Sequence, residues 1–293
     1  MNAGELAQSP PQSNSRIDHD GSVSRSEEAP LSKPKSEYSI QTVSNALRML
    51  EAFYADSELG VSELSRRLNL HKNNVFRLLA TLEQAGYIEQ NGETDRYRLG
   101  TRCLELGAAF SRDHALMKSS RPILENLAEA THETAHLAVL RDHEVVHLDG
   151  VQADQMLVCS LRVGQRLPVH CTALGKVLIG CAGSAGHERV QSLLDQGPSG
   201  LTARTSATIT DEQKLFDELG SVAAQGVARD LEECEVGMGC VAAPVFDALG
   251  ELVAALSISG PISRLSPDAL HGEVGQWVLQ AAEQLSQGLG YEV

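Results

Sequence analysis

Between Val43 and Leu99 the hydrophobic period changes from helical to alternating, and that change limits the fold more than any other feature of the chain. Val43, Leu47, Leu50 and Tyr54 recur at helical spacing and predict one apolar helix face. Ser62 stands where a cap belongs, ahead of a short segment from Glu63 to Leu68 with acid in its first turn. Asn69-Leu70 reads as a tight turn. A third helix is predicted from about His71 to Ala85, with Val75, Leu78, Leu79 and Leu82 inward and Gly86 placed for a left-handed C-terminal cap. Residues 87–90 and 96–99 then alternate on either side of Asn91-Gly92, which predicts a hairpin. Three helices followed by a hairpin make a winged helix-turn-helix, assigned to residues 38–100.

Such a unit lays the start of its second motif helix in the major groove of double-stranded DNA. Here that start reads Lys72, Asn73, Asn74, with Arg77 one turn on. Asn pairs bidentately with adenine, and Arg or Lys with guanine. Arg66 and Arg67 on the preceding helix are placed for phosphates, and Arg96 and Arg98 on the hairpin for the backbone or minor groove. The net charge of −15 excludes a protein that coats nucleic acid by bulk charge. The unit itself is not basic, with seven bases against eight acids. Six of those bases sit on the second helix, third helix and hairpin, so DNA binding must rest on a local cluster.

Residues 1–37 are rich in Ser, Pro, Gln, Asn and Glu without apolar periodicity, which predicts a disordered tail. A linker helix is expected over 101–118, carrying Leu104, Leu106, Ala108 and Phe110. Pro122 is expected to open the next helix, with Ile123, Leu124, Leu127 and Ala128. Strands are then predicted at 135–140, 144–151, 156–161, 240–246 and 252–259, and helices at 172–181, 187–195, 211–224 and 267–289. Arg141-Asp142-His143 is short enough to turn an antiparallel hairpin. Residues 119–293 therefore read as a mixed α+β domain with an antiparallel sheet.

No apolar run reaches the roughly 18 residues of a membrane span, and the N-terminus lacks the apolar core of a secretory signal. Cys103, Cys159, Cys171, Cys181, Cys234 and Cys240 form no C-x-x-C pair. A cytoplasmic protein with reduced thiols, no membrane and no cofactor is the expectation. One run invites a different reading. His132-Glu133-Thr134-Ala135-His136 matches H-E-x-x-H, the signature of zinc-dependent hydrolases, which needs both His on one helix face and Glu as general base. The helix before it ends near Thr131, and in a strand residues four apart lie about 13 Å apart, too far to share a metal. No metal site is expected there. His170, Cys171 and Cys240 read as core residues rather than a metal or redox centre.

Several long stretches resemble the IclR family of bacterial regulators. They are Val43 to Leu50, Arg77 to Tyr87, Tyr97 to Gly100, Arg166 to Lys176 and Ala254 to Pro261, in the family's order and spacing. The resemblance implies a GAF-like effector-binding domain, a homodimer that often pairs into a dimer of dimers, and a pseudo-palindromic operator. It implies that Ala173, Leu174, Asp230, Cys240, Ser257 and Ser259 line the effector site, with Met156, Cys159 and Met238 as its apolar wall. The residues themselves add that a helix starting at Thr172 offers amides to an anion, and that Ser257 and Ser259 share a strand face. A small organic acid is the expected effector, and a catabolic operon the expected target. The recognition helix opens His71-Lys72-Asn73-Asn74 where the family often has Pro and Ser or Thr, so the operator sequence is not carried over.

Overall fold

The structure, a computed structural model, describes residues 39–54, 56–155, 159–195 and 201–292. The expected tail, Tyr38 and Met156 lie outside the described residues. The N-terminal unit comprises α1 (Gln41–Glu51), α2 (Val61–Leu68), α3 (Lys72–Gln84), β1 (Ile88–Gln90) and β2 (Tyr97–Leu99). Its core gathers Met49 and Phe53 with Leu64, Leu68, Val75, Leu79, Ile88 and Tyr97. This corrects the face expected for α1, because Val43, Leu47 and Tyr54 are exposed. The helical period holds but the helix carries two apolar stripes, and the one with Met49 meets α2 and α3. Ser62 is not the cap of α2. Gly60 precedes the helix in extended conformation, and its N–H donates to the Glu63 carboxylate at 2.8 Å. Asn69 closes α2 at φ 52°, and Gly86 follows α3 at φ +79°, as a left-handed cap requires. The hairpin turn is wider than Asn91-Gly92, since Asn91 N–H reaches Arg96 O at 2.7 Å and Asp95 takes the left-handed φ of 54°.

α4 (Thr101–Asp113) ends at His114, and α5 (Ala115–Thr131) starts at once. The helix expected to open at Pro122 therefore opens at Ala115, and Pro122 lies inside it. Leu116, Met117 and Ser120 are buried in line with Ile123, Leu124 and Leu127, so continuous burial outweighs the hydrogen bond that proline removes.

The C-terminal domain holds β3 (Thr134–Arg141), β4 (Glu144–Val151), β5 (Arg166–Pro168), β6 (Ala228–Leu231), β7 (Met238–Phe246) and β8 (Leu252–Pro261). They form one antiparallel sheet in the order β5-β4-β3-β8-β7-β6. The expected strand at 156–161 is not formed over its described residues, while β5 and β6 were not anticipated. α9 (Pro267–His271) and α10 (Glu273–Gly288) replace one expected helix, broken at Gly272. Strand alternation separates two cores. Leu137, Val241, Ala243, Val245, Leu256 and Ile258 pack with α5 and α10. Ala138, Ala242 and Ala255 face α6 (Ala173–Gly180), α7 (Gly183–Leu194) and α8 (Glu212–Gln225). Those small residues let α6 lie close to the sheet. At Gly175 a Cβ would sit 2.3 Å from the Val169 carbonyl, so only glycine fits. Lys176, 1% exposed, donates to Glu233 Oε1 at 2.5 Å, Arg229 O at 3.1 Å and Glu218 Oε1 at 3.2 Å, and so pins α6 to α8 and to the β6–β7 turn.

Candidate nucleic-acid interface and ligand pocket

The side chains of Lys72, Asn73, Asn74 and Arg77 are exposed on the first turns of α3, and Arg66 is exposed on α2. His71 accepts from Asn73 N–H and caps the helix, which leaves the polar side chains outward. Phe76, 58% exposed, stands among them, an apolar surface suited to a thymine methyl. The other proposed contacts are partly spent inside the protein. Arg67 pairs with Asp56 at 2.6 Å and donates to Ala52 O. Arg96 pairs with Glu63 at 2.7 Å and donates to Glu58 O at 2.9 Å, tying the wing to α2. Arg98 faces Glu89 across the hairpin at 3.2 Å and stays exposed.

In the C-terminal domain, register alone assembles a polar floor. Asp230 pairs with Cys240, Cys240 with Ser259, and Ser259 with Thr134, in one row across β6, β7, β8 and β3. The neighbouring row brings Ser257 beside His136. Ala173 and Leu174, from the start of α6, and Met238 close over these rows. Seven of the residues expected at the effector site thus line one cavity: Ala173, Leu174, Asp230, Met238, Cys240, Ser257 and Ser259. Cys159 is buried but does not line the cavity, and its carbonyl accepts from the Thr134 hydroxyl at 2.8 Å. The cavity leaves about 40 Å³ for the centre of a water-sized sphere, against the roughly 10–15 Å³ that one water needs. It is therefore sized for a compact molecule.

The pocket wall carries two chemically distinct groups of polar side chains. In one, the His136 and His147 rings meet nearly edge to face with centroids 5.2 Å apart, and His136 Nδ1 lies 3.3 Å from Ser259 Oγ. Burial, with the charge of nearby Arg162, pushes His136 down to about 3 and His147 to about 4, so both rings are neutral at neutral pH. Arg162 also lines the pocket and pairs with Glu235 at 2.7 Å. In the second group, burial pushes Asp230 up to about 7, although it accepts N–H bonds from Glu233 at 2.7 Å and Cys234 at 3.3 Å. Burial raises the Cys240 thiol well above its ordinary range and keeps it protonated. Sequence reasoning missed His147 and Arg162 and met His136 only as part of a metal-like run. The usable signal was a histidine interrupting the apolar alternation of two adjacent strands.

The same geometry removes the hydrolase reading. His132 is the left-handed cap of α5 at φ 55°, and His136 lies in β3. Glu133 is buried and held by both Nε and Nη2 of Arg264, so it is no free general base. His170 Nε2 bonds Thr202 O at 3.1 Å. No cluster of three or more His, Cys, Asp or Glu able to hold a metal occurs among the described residues.

Comparison with known proteins covers both halves of the chain. Residues 42–92 match the IclR helix-turn-helix domain, and residues 108–287 match the C-terminal domain of the bacterial transcriptional regulator IclR. The HTH-type transcriptional regulator KdgR of Dickeya chrysanthemi is 35% identical over 253 residues, covering 86% of this chain and 81% of that one. The transcriptional repressor IclR of Escherichia coli is 34% identical over 255 residues, covering 86% and 90%. Among solved structures, an IclR homologue from Microbacterium hydrocarbonoxydans complexed with 4-hydroxybenzoate superposes with a TM-score of 0.72 at 25% identity, covering 85% and 98%.

Proposed function

The chain belongs to the IclR family and is a DNA-binding transcription regulator rather than an enzyme, and on that premise we propose that it binds a pseudo-palindromic operator as a two-fold dimer and answers to a small organic acid. The observation that carries this reading is that one chain holds both an exposed polar helix start, Lys72 to Arg77, and a small pocket with hydroxyls, neutral imidazoles and a guanidinium on its wall. Exposed Val43 and Leu47 on α1, and Leu104, Leu106 and Phe110 on α4, supply apolar surface for a second copy. A dimer would set two α3 helices on half-sites one helical turn, or a multiple, apart. Pairing of dimers would extend the same contacts. The pocket's size and polarity favour a compact acid, and control of a neighbouring catabolic operon in the cytoplasm fits a sensor of such acids. No helix among the described residues is long and apolar enough to cross a membrane.

The test is a footprint on DNA upstream of the gene and its neighbours, repeated with added organic acids and added salt. The expected result is two protected half-sites, relieved or strengthened by an acid, with affinity falling at about 0.9 in log–log slope per phosphate contacted. Absence of a protected site, or binding indifferent to salt, overturns the reading.

A further inference from the structure

The fold brings Cys171 and Cys234 together, and neither DNA reading nor the pocket's polar floor uses them. Cys171 is fully buried just ahead of Thr172, the cap residue of α6. Cys234 stands in the turn between β6 and β7 and lines the cavity. The Cys171 thiol donates a hydrogen bond to the Cys234 sulfur. Both backbones are anchored. Cys234 N–H donates to Asp230 Oδ1 at 3.3 Å, and its carbonyl accepts from Arg204 Nε at 3.1 Å. Beside Cys171, the Thr172 hydroxyl donates to Pro168 O at 2.8 Å and accepts the Gly175 N–H at 3.1 Å. Lys176 and Glu233 join the same two segments a second time, at 2.5 Å. The two thiols hold their protons unequally. The bond from Cys171 holds the Cys234 thiol below its ordinary value, helped by the charges of Arg204 and Arg162 and opposed by burial and Asp230. The same bond, and then burial, raises Cys171. Burial pushes Cys103, Cys181 and Cys240 up, so Cys234 departs in the opposite direction from these three. The thiolate is the nucleophilic form of cysteine. Cys234 is 7% exposed and faces a cavity with room for water-sized molecules, and hydrogen peroxide is scarcely larger than water.

We infer that Cys171 and Cys234 form an oxidation site for hydrogen peroxide, Cys234 attacking and Cys171 resolving, and that their disulfide fastens the start of α6 to the β6–β7 turn. In the first step the Cys234 sulfur attacks one peroxide oxygen. An S–O bond forms, the O–O bond breaks, and the departing hydroxide takes the thiol proton and leaves as water. Cys234 is then a sulfenic acid. In the second step the Cys171 sulfur attacks the Cys234 sulfur. The S–S bond forms, the S–O bond breaks, and the hydroxyl leaves with the Cys171 proton as a second water. Two thiols lose two electrons in all, and one peroxide is reduced to two waters.

The experiment treats the reduced full chain with hydrogen peroxide, blocks remaining thiols with N-ethylmaleimide in denaturant, digests without reduction and maps the peptides by mass spectrometry. It needs neither DNA nor an effector, so its outcome is independent of the proposed function. The expected product is a peptide pair joined through Cys171 and Cys234, two hydrogens lighter than the free peptides and released by dithiothreitol. The oxidised chain should melt about 5 °C higher than the reduced one, because the bond constrains the unfolded chain. Cys171→Ser should leave Cys234 as a sulfenic acid that dimedone traps, and Cys234→Ser should leave Cys171 fully alkylated. Each variant is first checked for a cooperative melt, and the map of the unaltered chain decides the matter if a variant fails to fold. Recovery of both thiols in alkylated form, at a peroxide dose that oxidises free cysteine, overturns the inference. A bond from Cys234 to Cys240 or Cys159 instead does the same, and a disulfide that lowers the melting temperature rules out the fastening.

Discussion

His136 and His147 sit edge to face on neighbouring strands, and their neutrality has a consequence for acid stability. Both carry folded-state values below the ordinary 6.5, about 3 and about 4. As pH falls below 6.5 the unfolded chain binds protons that the folded chain refuses, so their stabilising contribution is complete above 6.5 and is lost toward pH 4. Asp230, raised to about 7 by burial and by the nearby Glu233 carboxylate against the opposing pull of its two N–H bonds and of Lys176, acts in the opposite sense. Its folded form takes a proton first, so stability is gained as pH falls from 7 toward 4. Thermal melts across pH 4–7 should show a shallower acid loss for His136→Gln with His147→Gln, and a steeper one for Asp230→Asn. Identical slopes in all three proteins would refute this assignment of protons. At this scale the sequence was partly readable. Ser257 and Ser259 announce a shared face by their spacing, and Asp230 and Cys240 followed from the family resemblance. Arg162 carries no local signal, and the break that His147 makes in the β4 alternation gains its meaning only from the β3–β4 and β3–β8 registers, the second of which brings His136 and Ser259, 123 positions apart, into one wall.

The elements show why local chemistry predicts some boundaries and not others. Turn and cap residues act on their own backbone, so Asn69 and Gly86 marked the ends of α2 and α3 correctly. The phase of α1 depends on what packs against it, and two apolar stripes on one helix leave that choice to α2 and α3. The short strands β5 and β6 have too few residues to display alternation. Basic residues on these elements likewise divide into contacts and struts. Arg77→Ala should weaken operator binding while leaving the melting temperature nearly unchanged, and, if Arg77 meets a phosphate, should lower the salt slope by about one. Arg96→Ala removes the tie between wing and α2, so it should lower the denaturant midpoint of the N-terminal unit, modestly because the pair is half exposed. A reversal of these two patterns would show that the wing arginine, not the helix arginine, reads DNA.

At the scale of the whole molecule, the exposed apolar residues of α1 and α4 ask for cover. Leu104 is 76% exposed and Leu47 56%. Leu104→Glu combined with Phe110→Glu is expected to shift sedimentation from dimer to monomer and to remove cooperative operator binding. An unchanged sedimentation coefficient would place the dimer contact elsewhere. The linker's apolar residues were visible in the sequence, but nothing local distinguishes a stripe meant for a partner from one meant for the core. A different feature, the ammonium of Lys176, ties two parts of the pocket wall together. It lies one turn beyond the pocket residues Ala173 and Leu174 and holds Glu233, whose chain neighbours Cys234 and Glu235 line the same cavity. A buried charge with no water to replace its partners loses several kcal/mol if those partners leave it. It tolerates no intermediate stretch, so α6 and the β6–β7 turn keep company or part entirely. The ammonium therefore joins two pieces of the pocket wall into one mechanical unit, so that a displacement of α6 is expected to carry the β6–β7 turn with it.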